Sequence, residues 1–126
     1  MSCSGYLAVK KPIEIKFSGE AGEVFDFLAE KSLSSKKERM LYESVRHKIE
    51  IIKSNHKYGD AIPKKFIPLY YKEKYEINNL FRVELPLFWR MLYTFREEDN
   101  KIFVIAFIIE ILDHKKYNKR FGYKKR

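Results

Sequence analysis

The chain has 126 residues, is 45% hydrophobic and 34% charged, and carries a formal net charge of +9 at pH 7. That profile excludes a disordered polypeptide, and the single cysteine, Cys3, excludes an internal disulfide or a cysteine zinc site. The most apolar run, residues 102–112, is interrupted by Glu110 and falls well short of the ~20 residues a membrane helix needs.

The length fits a single domain over residues 1–126, with its core at about 13–123. No apolar signal core stands at the N-terminus, and the lone cysteine suits a reducing compartment, so a cytoplasmic location without membrane attachment is expected. The excess of positive charge favours polyanionic partners through counterion release. Residues 115–126 hold seven basic residues and no acidic one. Lys64 and Lys65, with Lys72 and Lys74, form a second basic cluster.

Ile13-Glu14-Ile15-Lys16-Phe17 alternates strictly and predicts a first strand with Ile13, Ile15 and Phe17 on the core face. Ser18-Gly19 ends it. A short helix is expected over residues 20–31, with Ala21, Val24, Phe25 and Leu28 on one side and Glu20 and Glu23 in its dipole-favoured first turn. Ser35 and Glu38 match a capping box, in which the hydroxyl serves the Glu38 amide and Glu38 reaches back. A longer helix follows to about Asn55, with the apolar stripe Leu41, Val45, Ile49 and Ile52. Gly59-Asp60 closes it. Pro63 and Pro68 mark residues 60–78 as a loop or short extended piece.

Three strands follow. In the first, Phe81, Val83 and Leu85 share one face; Leu80, Arg82 and Glu84 share the other. Pro86 forces a bend. Next, Trp89, Met91, Tyr93 and Phe95 lie opposite Arg90, Leu92, Thr94 and Arg96. A hairpin turn over residues 97–100 leads into residues 102–109, apolar on both faces and therefore interior.

An arginine inside a strand is costly unless paired or turned to a ligand. Arg82 and Arg90, on one face of a hairpin, would make a bidentate phosphate clamp. The same spacing also allows an Arg82–Glu84 surface pair with Arg90 lying over apolar rings. His114 and Tyr117, at the exit of the last strand, suit proton transfer and phosphate orientation. They equally suit a helix capped by Asp113 with an exposed histidine. His47 and His56 make no ligand pair, no His, Asp and Glu set has metal spacing, and glycine-rich phosphate loops and serine-hydrolase signatures are lacking.

Taken in order, Leu80-Phe81-Arg82-Val83, Trp89-Arg90-Met91-Leu92-Tyr93, Ile111-Leu112-Asp113-His114-Lys115-Lys116-Tyr117 and Phe121-Gly122-Tyr123 resemble the RelE/ParE superfamily of type II toxins. The resemblance implies an α+β, RelE-like fold: an N-terminal strand, two helices, a three-strand antiparallel meander and a short helical or irregular tail. It implies a ribosome-dependent mRNA endoribonuclease with no metal or other cofactor, partnered by the ribosome and mRNA and by a cognate antitoxin. The 2′-hydroxyl attacks the neighbouring phosphate, leaving a cyclic phosphate and a free 5′-hydroxyl. By motif position Arg82 and Arg90 would stabilise phosphate charge, His114 would move a proton or bind phosphate, and Tyr117 would stack on a base or orient the phosphate. Lys64, Lys65 and Lys72, with Lys115, Lys116 and Arg120 of the basic tail, would hold RNA. Residues 60–78 depart from the family pattern and leave the general base unassigned. A gyrase-directed ParE-like toxin, a non-catalytic RNA-binding relative and a pure partner-binding protein share the same fold-level resemblance.

Overall fold

In the computed structural model, which describes residues 12–97 and 104–122, strand β1 (Ile13–Phe17) alternates half-buried apolar residues with exposed Glu14 and Lys16. Ser18 both ends β1 and starts α1 (Gly19–Lys31). Its hydroxyl accepts the Ala21 N–H at 3.0 Å and donates to the Ile109 carbonyl at 2.8 Å, so one side chain ties a helix start to the centre of the sheet. Ser35 caps α2 (Lys36–Ser54). Its backbone N–H is already given to the Lys31 carbonyl, so Glu38 takes the Ser35 hydroxyl instead of closing the expected reciprocal box.

The remaining elements are β2 (Asp60–Ala61), a 3-10 turn (Lys64–Phe66), α3 (Leu69–Tyr75), β3 (Phe81–Glu84), a second 3-10 turn (Pro86–Phe88), β4 (Arg90–Glu97), β5 (Val104–Leu112) and α4 (His114–Arg120). The α+β class is as the sequence predicts, but the sheet has five strands and is mixed. Its order is β1-β5-β4-β3-β2, with β1 parallel to β5 and every other pair antiparallel. Residues 60–78, expected as a loop or short extended piece, hold the short strand β2 and also a 3-10 turn and the helix α3. Pro68 sits at the N-cap of α3, where a missing N–H costs nothing, and Asp60 and Ala61 pair with Arg82 and Phe81. The rest of the 97–100 turn, residues 102–103, Cys3, Tyr123 and the end of the basic tail lie outside the described residues.

Both faces of the sheet are covered. Helices α1 and α2 bury Ala21, Leu28, Leu41, Val45, Ile49 and Ile52 against Phe81, Val83, Met91, Tyr93 and Ile108. On the other face α3 and α4 bring Tyr71 and Tyr117 onto Leu80, Leu92, Ile109 and Leu112. The faces are set by a one-residue register shift. Leu92 pairs with Glu110, yet Tyr93 pairs with Ile108, so Ile109 is the extra residue of a β-bulge. The bulge turns Glu110 away from the α1/α2 core. Although only 7% exposed, Glu110 accepts from the Tyr71 hydroxyl and from Arg120 Nε, each at 3.0 Å. Burial, with the Glu110 charge behind it, pushes the Tyr71 phenol above its ordinary value.

Tyr93 reaches past the β3 edge. Its hydroxyl donates to the His56 carbonyl at 2.8 Å and accepts the Gly59 N–H at 2.9 Å. Gly59 is required by close approach, since a Cβ there would sit 3.0 Å from the Arg82 carbonyl oxygen. Among the described residues no helix is long and apolar enough to cross a membrane.

Replacing Ser18 by alanine removes a cap and orphans the Ile109 carbonyl; it should lower unfolding free energy by about 1–2 kcal/mol in a urea titration. Burial raises the Tyr93 pKa to about 12 from an ordinary value near 10. Folding therefore favours the protonated phenol, so its contribution is complete below pH 10 and is lost as pH rises towards 12. Urea midpoints should fall across that window, and Tyr93→Phe should flatten the fall; an unchanged slope would refute the assignment.

Candidate functional site

Arg82 and Glu84 leave β3 on the α3/α4 face, and Arg90 opens β4 directly opposite Glu84 in the ladder. Glu84 lies between the two arginines. One carboxylate oxygen is 3.2 Å from Arg90 Nε and the other 3.3 Å from Arg82 Nε. Both Nε atoms are buried and poorly aligned for a directed hydrogen bond, so these contacts are charge pairs in close approach. Asp60 of β2 adds a looser contact at 3.6 Å to Arg82.

Tyr117 enters from α4. The helix is started by Asp113, whose side chain accepts the Lys116 N–H at 2.9 Å. One turn on, the Tyr117 hydroxyl accepts from Arg82 Nη1 at 3.1 Å, and the Arg90 guanidinium lies 5.0 Å from its ring centroid. That hydrogen bond raises the Arg82 pKa further. The structure thus joins Arg82, Arg90 and Tyr117, three of the four sequence-predicted catalytic residues, in one cluster. It also joins the Arg82–Glu84 pair with an arginine over an aromatic ring. Tyr117 is only 3% exposed and stacks on Phe121 at 4.5 Å. A buried ring cannot receive a nucleobase, so Tyr117 positions the guanidiniums.

His114 is exposed at the first residue of α4. Its ring meets Phe88 edge-on, with centroids 6.2 Å apart, and the Phe88 carbonyl accepts from Arg90 Nη1 at 2.6 Å. The Pro86–Phe88 turn therefore links His114 to the arginines. Leu87 and Phe88 hold φ values of 60° and 64°, conformations that cost bulky residues on the order of 1–3 kcal/mol each. The strain presents both side chains to solvent: Leu87 is 45% exposed and Phe88 72%. Beside them a groove of about 600 Å³ is bordered by Lys36, Lys37, His114 and Lys115, with Leu87 and Trp89 contributing apolar surface.

The basic residues assigned to RNA are dispersed. Lys64 and Lys65 are exposed on the first 3-10 turn, and Lys72 is exposed on α3. Lys115 joins the His114 groove, whereas Lys116 borders a depression that also holds Glu20, Glu23 and Glu110. Arg120 is held by Glu110 and lies 4.1 Å from the Tyr70 ring centroid, so its charge serves the fold. Sequence reasoning missed the role of Glu84 as a bridge and the strained turn. The direct opposition of Glu84 and Arg90 across a hairpin was the available signal for the bridge; nothing in Pro-Leu-Phe announces two positive φ angles. Among the described residues no group of three or more His, Cys, Asp or Glu is placed to hold a metal ion.

Glu84 occupies the position between the guanidiniums that an oxyanion would take. Removing its charge with Glu84→Gln should let inorganic phosphate in. Phosphate should then raise the melting temperature of the variant more than that of the native protein, at matched ionic strength against chloride. Equal responses would show that the arginines do not form an anion site.

This chain matches no family model, no curated protein and no solved structure.

Proposed function

We propose that this protein is an RNA-cleaving toxin of the RelE/ParE kind, acting on mRNA at the ribosome. The observation that carries the reading is the convergence of Arg82, Arg90 and Tyr117 from β3, β4 and α4. Two guanidiniums held on neighbouring strands by a buried phenol stand ready for the extra negative charge of a pentavalent phosphorane once Glu84 has given way. The order β1, α1, α2 and the antiparallel succession β3, β4, β5 supports the reading, while β2 and α3, inserted between α2 and β3, depart from it.

In this reading an RNA phosphodiester displaces the Glu84 carboxylate from Arg82 and Arg90. The 2′-oxygen attacks phosphorus, its proton passes to a base, the P–O5′ bond breaks, and the 5′-oxygen takes a proton. His114, exposed beside Arg90's turn, is the side chain suited to proton transfer. Lys115 borders the same groove and would hold the RNA backbone, with Lys64, Lys65 and Lys72 on more distant surface. The cytoplasm is the compartment this activity requires, and a small antitoxin is the partner that would silence it.

The test is to map RNA ends during arrested translation. Cleavage should leave cyclic phosphate and 5′-hydroxyl ends, and Arg90→Ala and His114→Ala should each lower the rate by at least about 100-fold. Cleavage surviving unchanged in both variants would refute the site. Unaltered RNA ends with native protein, alongside inhibition of a topoisomerase, would favour the gyrase-directed branch.

A further inference from the structure

We infer that the Pro86–Phe88 turn is a stacking platform for an unpaired nucleobase, with Phe88 as the ring that receives it. The inference names the substrate class of the proposed site, single-stranded RNA, and rests on that reading for its biological setting. Phe88 is 72% exposed, on a turn whose Leu87 and Phe88 both hold positive φ. The turn is closed by the Leu85 N–H donating to the Trp89 carbonyl at 2.9 Å, a backbone bond in which the Phe88 side chain takes no part. A glycine or asparagine would make the same turn with less strain.

The surroundings specify the ligand. Lys36 and Lys37 at the start of α2 and Lys115 at the start of α4 border the groove beside the turn, and Arg90 of β4, paired with Glu84, donates to the turn's backbone. The acidic residue of this groove, Asp113, is engaged in capping α4. Exposed aromatic surface ringed by cations is the combination that binds single strands, in which bases stack and phosphates meet charge. The Arg90 guanidinium donates to the Phe88 carbonyl at 2.6 Å, so the exposed residue and the arginine are held side by side. Among the described residues Tyr117 is buried at 3% exposure, whereas Phe88, next to Arg90, is open to solvent.

Trp89, the single tryptophan of the chain, borders the groove and provides a reporter. Its emission should be followed while the protein is titrated, at one fixed ionic strength, with a short single-stranded oligoribonucleotide. A parallel titration uses an abasic ribose-phosphate oligomer of equal length. Phe88→Ala should weaken RNA binding by about 5- to 100-fold and leave binding of the abasic oligomer unchanged, while Phe88→Tyr restores RNA affinity. Circular dichroism of both variants should match the native protein. An unchanged RNA affinity in Phe88→Ala, or an equal loss for both oligomers, would overturn the inference; the first would leave the patch to a protein partner. RNA that binds through Phe88 yet is never cut would overturn the nuclease reading alone. RNA cut with an unchanged KM by Phe88→Ala would overturn the platform alone.

Discussion

A buried carboxylate organises one whole side of this molecule. Glu110 lies in the central ladder at 7% exposure, where an ionised group without partners would cost several kcal/mol. Two devices remove that cost. The bulge at Ile109 turns Glu110 to the face away from α1 and α2. Tyr71 of α3 and Arg120 of α4 then supply the donors. Since both short helices contribute to one acceptor, neither can shift along the sheet without stranding the charge. Seven-residue helices have little stability of their own, and this shared anchor, with Tyr71 and Tyr117 in the core beneath, gives them a fixed place.

The position of α4 in turn decides what the strand arginines can do. With α4 anchored by Arg120 at its end, Tyr117 in its middle faces Arg82 and Arg90. Without that phenol the two guanidiniums would be long surface side chains, and exposed ion pairs of this kind hold little rigidity. The charges within the cluster are nearly balanced by Glu84 and Asp60. That balance stabilises the resting arrangement, and it sets a threshold: an anion binds only if it outcompetes a carboxylate that is already tethered. A phosphodiester that offers base stacking and further phosphate contacts meets that demand better than a free small anion does.

Much of the framework was legible because periodicity and burial agree. Alternation in Ile13–Phe17 and the 41-45-49-52 stripe in α2 each appear where the pattern puts them, as do the opposed faces around Arg82 and Arg90. Misreadings came where a local rule was met by a tertiary exception. Pro63 and Pro68 read as breakers, although Ile67, Tyr71 and Tyr75 recur at helical spacing and Pro68 merely precedes the first turn of α3. The two-residue strand at Asp60 has no periodicity to detect and exists through its pairing with β3. At the site, ladder position was enough to bring the arginines together. The burial of Tyr117 and the outward turn of Phe88 were not, because they depend on the placement of α4 and on a strained backbone.

The parallel pairing of β1 with β5 carries a consequence for how the chain assembles. β1 is made well before its partner β5, so the pairing that β1 completes does not exist until β5 has been synthesised. The Ser18–Ile109 hydrogen bond spans 91 residues. Helices α1 and α2 can form a hairpin early, but their apolar sides have no sheet to cover until β3, β4 and β5 arrive. A nascent chain of this protein would expose that helical pair until β3, β4 and β5 have been made. Closure of the sheet, and with it assembly of the arginine cluster, would wait on β5 and the helix that follows it.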